Sequence, residues 1–400
     1  MVLLPLAEAQ ARLISLAKPL PVERIPVSEA LGRYLAEPVV ANRTQPPADL
    51  SAMDGYALRQ ADLPGPWHVI GESSCGHPFD RTCQAGEAVR IATGALMPVG
   101  TDMVLMQEDA SSDGDVLEFA GSMPEPLDRH VRRRGNDFAM GAELLPAGIR
   151  LGPAQLGLVL SAGHNLVAVR RLPRIVVIDS GDELAADPTT CETHQIPASN
   201  GVVLEAMMRQ ALPSFVERIG PVADNLDALV QALNAAKHAD VIVTSGGASV
   251  GDHDLLRPAL ANWGASLDFW KVAVKPGKPV MIATRADQVV VGLPGNPVSS
   301  SVTAFLFVLP LLRALSGSTQ PFPRPIQAIA AEPLPAGGSR QEFLRATFDG
   351  LRATARLNQD SGALGSLARA NALIERPVDA PAAAAGDVIS LYLLENGGIA

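Results

Sequence analysis

Cysteine is scarce in this chain, and nothing in the spacing ties the few together. Cys75, Cys83 and Cys191 are an odd set among 400 residues without a C-x-x-C pair, which excludes a disulfide framework or zinc cluster and fits a reducing compartment. The seven histidines include no H-E-x-x-H, so a zinc-peptidase motif is absent. Charge is also low: 18% of residues are charged against 47% hydrophobic, a globular balance that excludes disorder. Positive charge is not in excess either. A formal net charge of −10 argues against nucleic-acid or anionic-membrane partners and leaves any phosphate to a local basic pocket. No run is long enough to span a bilayer: the most apolar one, residues 305–312, stops at Arg313 and reads as a buried helix. The apolar N-terminus lacks a preceding cationic stretch and is interrupted by Glu8 and Arg12, so no signal peptide is expected. Leu6, Ala9, Leu13, Leu16, Ala17 and Leu20 fall instead on one helical face. These absences predict a soluble, cytoplasmic protein.

The length predicts two to four domains. Residues 25–27 and 39–41 read as extended segments around a short helix at 28–35. From about residue 43 to 138 the chain is glycine-rich, with strand-like runs at 67–70, 88–91 and 103–106, the pattern of a small β domain. A helix is expected at 153–162. From residue 174 to about 321 strands alternate with helical patterns, which predicts a parallel sheet covered by helices. Beyond Pro321-Phe322-Pro323, runs at 342–348, 351–357, 372–376 and 388–394 predict a second β domain.

The most informative stretch is residues 240–254. An apolar β-branched run, Val241-Ile242-Val243, leads into Gly246, Gly247, Ser249, Gly251, Asp252 and Asp254, a loop at the carboxyl end of a strand, where open α/β sheets bind ligands. Glycines let backbone N–H groups approach an anion, and carboxylates hold a divalent cation beside it. Neither G-x-G-x-x-G nor a P-loop lysine is present. Alone, the stretch reads equally as a glycine-rich turn with Asp254 capping the next helix.

Other motifs are weak singly. Asp54-Gly55 can be a tight turn, and Arg132-Arg133-Arg134 a solvated face. Asp182 and Glu183 end a strand at the ligand-facing side of a sheet. Asn200 and Asp224 are each placed to cap a following helix. Lys275 and Lys278 sit on the proline-stiffened turn Lys275-Pro276-Gly277-Lys278-Pro279, which suits an oxyanion or a solvent-facing turn. Pro294, Gly295, Asn296, Pro297 and Ser299 precede the apolar helix and bring its N-terminal dipole to the same sheet edge.

Together the motifs at 51–57, 92–95, 132–137, 181–184, 246–254, 275–279 and 292–299 resemble, in order and over nearly the whole chain, the molybdopterin molybdenumtransferase family, which includes the gephyrin E domain. The resemblance implies an α/β plus β fold: a discontinuous N-terminal part (1–42 and 139–171), an inserted β domain (43–138), a three-layer α/β/α molybdopterin-binding domain (172–322) and a C-terminal β-barrel (323–400), elongated overall. It implies a homodimer whose cleft joins the α/β domain of one subunit to the inserted domain of the other. The implied reaction is adenylylated molybdopterin plus molybdate giving molybdenum cofactor and AMP, with Mg²⁺.

On that resemblance Asp54, Thr93, Asp137, Glu183, Asp224, Asp254, Lys275 and Lys278 are catalytic, with Glu183 and Asp254 on the metal. Arg132, Gly246, Gly247, Ser249, Gly251, Pro294, Asn296, Pro297 and Ser299 bind substrate or phosphate. A polyanionic pterin adenylate and molybdate repel each other, and Lys275, Lys278 and Arg132 offset that repulsion within an acidic protein. Expected partners include a molybdopterin adenylyltransferase and molybdoenzyme clients. Ser180, Leu255 and Leu50 depart from the family pattern, leaving open a tungstate-favouring paralogue. A non-catalytic scaffold or an adenylyltransferase-like enzyme are the alternatives.

Overall fold

The computed structural model describes residues 3–246 and 255–394, without the side chain of Trp270. Its centre is a six-stranded sheet ordered Phe215–Val222, Arg174–Ser180, Val241–Ser245, Gln288–Leu293, Met281–Arg285, Ser266–Trp270. The first four strands run parallel and the last two join antiparallel. Side chains alternate between two cores. Ile175, Val177, Val241, Val243 and Val291 face a cluster with Leu204, Met208, Val302 and Phe305; Val176, Ile178, Ile242 and Val290 face Leu229, Leu233, Leu256 and Leu260 on the other side. Both faces are therefore dry, which is why these strands are continuous apolar runs and why the domain has three layers.

The helix Leu6–Leu16 buries Leu6, Ala9 and Leu13 in the first of these cores, so the start of the chain packs on the central sheet. A continuous helical stretch, Pro297–Leu315, crosses the same layer. It is long and apolar enough to cross a membrane, yet 89% of its most apolar window is buried in the protein, the mark of a core helix. Pro310 has no N–H to offer the Leu306 carbonyl four residues back, and the helix relaxes into a π turn over Ala304–Val308. Gln10 donates to the freed Leu306 carbonyl at 2.9 Å.

Two short antiparallel pairs, Val22–Pro26 with Leu166–Arg170 and Val39–Val40 with Glu143–Leu145, share a core of Val27, Leu35, Phe138, Leu151 and Val159. Between them the chain makes a second six-stranded sheet, spanning residues 55–119. The expected helix at 28–35 is only a 3-10 turn, Val27–Glu29; Gly32, at φ +76°, ends any helical path. At the C-terminal side the strands Ile326–Ala330, Gln341–Phe348, Arg352–Ala355, Ala372–Arg376 and Val388–Leu393 close into a barrel, because Gln341–Phe348 pairs with both Arg352–Ala355 and Ala372–Arg376. Val274–Lys275 adds to that strand in parallel, stitching the barrel to the α/β domain.

Candidate functional site

The carboxyl ends of the parallel strands open into a cavity of about 440 Å³ lined by Asp179, Ser180, Glu183, residues 196–200, Ser245, Gly246, Gly295, Asn296 and Pro297, with Gly362 and Leu364 from the barrel. The backbone closes tightly at its floor. A Cβ on Gly246 would lie 2.2 Å from the Ser180 carbonyl oxygen, and Gly246 has φ +96°; only glycine lets the two strand ends meet there. Gly181 is constrained by its backbone, at φ +155°, while the Glu183 carboxylate that a Cβ would meet at 2.5 Å belongs to a side chain that can move.

Asn200 spans the floor. Its amide nitrogen donates to Ser245 Oγ at 2.9 Å and to the Gly295 carbonyl at 2.6 Å, so the side chain expected to cap its own helix is a crossbar between two loops. The helix Asn200–Ala211 receives no side-chain cap from Ser199. The Gly201 N–H donates instead to Asp179 Oδ2 at 2.9 Å. Asp179 is only 7% exposed, and its Oδ1 is buried without a partner among the described residues. Burial pushes its carboxyl up to about 6, against the pull of the Gly201 N–H and Arg218.

The barrel builds one wall through a loop held by Arg345. This fully buried guanidinium donates from Nη2 to the carbonyls of Asn358 and Asp360, both at 3.0 Å. The loop presents Ser361, whose hydroxyl accepts from Asn296 Nδ2 at 3.0 Å and whose carbonyl accepts from the Val298 N–H at 3.1 Å. Thus one N–H in the first turn of the Pro297 helix is already engaged. Pro294 and Ser299, expected at the site, do not line the cavity; both are buried, because the chain turns inward there to start a core helix.

A second group of expected residues lies on the sheet of residues 55–119. Asp54 Oδ1 accepts from the Thr93 N–H at 2.6 Å and from the Thr93 hydroxyl at 3.0 Å, and these bonds hold its carboxyl below the usual range. The strand Leu50–Ser51 that leads to Asp54 pairs with Val131–Arg132. Of the three consecutive arginines, Arg133 is bound to Asp49 and Asp128, each at 2.8 Å. Arg134 donates to the Pro47 carbonyl at 3.1 Å, while Arg132 is exposed and forms no ion pair among the described residues. Asp137 is exposed in the turn that returns to Gln45, where its N–H bonds the Gln45 carbonyl at 3.0 Å. None of Asp54, Thr93, Arg132 and Asp137 lines the cavity of the α/β domain.

Lys275 is paired with Glu342 of the barrel at 3.0 Å, so its charge is met within the chain. Lys278 is exposed beside it. Asp224 does not cap the helix Leu226–Ala235: Asn225 does, accepting from the Ala228 N–H at 2.9 Å. The expected cap was one residue early. The Asp224 N–H bonds Asp182 Oδ1 at 3.0 Å, which brings the loop carrying Asp224 to the Asp182-Glu183 turn. Gly247, Ser249, Gly251 and Asp254 lie outside the described residues. Sequence reasoning missed Asp179, Ser361 and Arg345; the only local signal was an acid within the apolar run before Ser180-Gly181.

Comparison with known proteins matches this arrangement along the chain. Residues 4–163 match the model of the MoeA N-terminal region (domain I and II), 176–314 the probable molybdopterin binding domain, and 327–394 the MoeA C-terminal region (domain IV). A molybdopterin molybdenumtransferase of Haemophilus influenzae is 34% identical over 86% of both chains. Molybdopterin molybdenumtransferase 2 of Mycobacterium tuberculosis is 32% identical over 92% of this chain and 94% of its own. A crystal structure of the molybdopterin biosynthesis MoeA protein from Pyrococcus horikoshii superposes with a TM-score of 0.84 at 26% identity, covering 98% of this chain and 100% of that one. With three family models matched in succession and identity above 30% over most of the length, the chain belongs to the molybdopterin molybdenumtransferase family.

Proposed function

We propose that this chain is a molybdenumtransferase that binds adenylylated molybdopterin at the sheet-end cavity, accepts molybdate and releases AMP, completing molybdenum cofactor. The observation that carries the reading is the cavity itself. At about 440 Å³ it lies in the size range of small-molecule sites, and it opens at the carboxyl edge of a parallel sheet beside a helix N-terminus. Its walls offer Asn296, Ser245 and the glycine backbone to phosphate oxygens, and Glu183 as a carboxylate.

That donor set suits Mg²⁺, which takes one or two carboxylates and keeps waters and phosphate oxygens for the rest. Among the described residues no group of three His, Cys, Asp or Glu side chains stands together. When bound, the ion supplies positive charge between phosphate and oxyanion. Glu183 would hold it, Lys278 and Arg132 would draw the anions in, and the glycine floor would let the phosphate approach the backbone.

Asp54, Thr93 and Arg132 form a separate exposed corner with no share in the cavity of the same chain. A homodimer that lays this corner over the cavity of its partner brings the two together. The three cysteines are free thiols, in keeping with a cytoplasmic setting; the proposed reaction calls for an adenylyltransferase upstream and molybdoenzyme clients downstream. The test is turnover: purified protein with adenylylated molybdopterin and Mg²⁺ should release AMP only when molybdate is added. Binding of the adenylate without molybdate-dependent AMP release refutes the transferase reading.

A further inference from the structure

Asp179 stands out among the cavity residues because it is held at every side and yet is incompletely paired. At Gly201 a Cβ would lie 2.1 Å from Asp179 Oδ2 and would push the carboxylate from its place. Gly220 presses from the neighbouring strand, where a Cβ would lie 2.5 Å from the Asp179 carbonyl oxygen. Two glycines on two different elements therefore fit around this one residue. Among the described residues the reward is a single hydrogen bond, from Gly201 to Oδ2, while Oδ1 is buried with no partner.

A serine or asparagine supplies the same bond to a helix N-terminus without burying a charge. A buried polar atom left unpaired in a native fold calls for an explanation beyond capping. Its position supplies one. The bond fixes Gly201, and the residue before it is Asn200, whose two amide hydrogens are both committed, to Ser245 Oγ and to the Gly295 carbonyl. Ser245 ends one parallel strand and Gly295 lies two residues past the end of the adjacent one, and Asp179, the penultimate residue of the strand on the other side, stands opposite Ser245. The capped helix turn, the crossbar and the cavity floor thus form one rigid triangle.

We infer that Asp179 is a positioning residue for the ligand cavity: through the Gly201 N–H it sets Asn200 as the crossbar between Ser245 and Gly295, and the crossbar fixes the width of the opening at the sheet edge. Asp179 does not touch the ligand; its effect passes through Asn200. The inference rests on the assignment of this cavity to the substrate and adds a residue that governs its shape. Orientation acts on affinity because groups held in place before binding need not be ordered during it.

The experiment is a double-mutant cycle on the full chain, with AMP as the probe in isothermal titration and with amide hydrogen exchange of the first helical turn. Asp179→Ala should weaken AMP binding about tenfold and speed exchange at Gly201, as expected for loss of one or two organised hydrogen bonds. Asn200→Ala should weaken binding to a similar degree. The double variant should be no weaker than the worse single, because both act through one unit. Asp179→Asn keeps an acceptor toward Gly201 and should restore most of the affinity lost in Asp179→Ala. The inference is overturned if Asp179→Ala binds AMP as wild type does, or if the two losses multiply. Should Asp179→Ala fail to fold, wild-type affinity in Asn200→Ala overturns it equally. If wild type itself does not bind AMP, the transferase reading falls, and equal exchange at Gly201 in wild type and Asp179→Ala then overturns the positioning role separately.

Discussion

Asp54 and Asp179 are the same residue type in opposite circumstances. Asp54 is exposed, and one of its oxygens takes two bonds from Thr93, which favours the charged form. Asp179 is buried, and that burial favours the proton and lifts its carboxyl to about 6; among the described residues it takes one bond and leaves its second oxygen unpaired. Solvent and donor count, not residue identity, decide which acid remains an anion. The exposed corner offers a fixed charge to whatever approaches it, whereas the interior acid spends its chemistry on holding a helix and a crossbar.

This contrast separates chemistry from architecture, and substitutions should divide accordingly. The largest effect belongs to the outward-facing acids. Glu183→Gln and Asp54→Asn should each lower molybdate-dependent AMP release about a hundredfold while the thermal midpoint stays with wild type; unchanged turnover in either removes that acid from the site. Asp179 should show the reverse emphasis. Its folded-state carboxyl titrates near 6 against 3.8 for the ordinary group, so the protonated fold is favoured. That stability is fully present below about pH 4 and is lost as pH rises through about 6. The loss amounts to roughly 2–3 kcal/mol. Urea unfolding from pH 4 to pH 7.5 should show this decline in wild type and not in Asp179→Asn; parallel curves would show that Asp179 is not the titrating group. The smallest effect is at Thr93. Thr93→Val removes the hydroxyl donor but keeps the N–H bond, so AMP release should fall about fivefold and the Asp54 carboxyl, followed by NMR, should titrate higher. An unmoved Asp54 titration would mean that the backbone bond alone sets its charge.

Much of the fold is legible because burial leaves a pattern. Val241–Ser245 is covered on both faces and reads as an uninterrupted β-branched run. Phe215–Val222 is an edge strand with exposed Glu217 and Arg218 and the break Gly220-Pro221, so it carries no such run and leaves no strand signal in the sequence. Capping rules failed for a related reason. They look one to three residues along the chain, and they placed caps at Asn200 and Asp224. The structure caps one helix with Asn225 and the other with Asp179, 22 residues upstream of Gly201. Glu183, Gly246, Asn296 and Pro297 could be anticipated at the cavity because they lie at strand ends, a position that sequence order reveals. Ser361 and Arg345 could not, since their contribution exists only once the barrel has docked on the α/β domain.

The two-residue seam between those domains has a consequence for how the sequence can drift. Val274 and Lys275 register against Gln341 and Glu342, and the Lys275–Glu342 ion pair locks the register. That seam, far from the connection at 316–325, helps place the barrel, together with Phe343, Leu373 and Leu394 in the shared core and the Ser361 loop. The seam resists drift in its own way: a shift of one position would turn the paired side chains to the wrong face and carry the Ser361 loop away from Asn296.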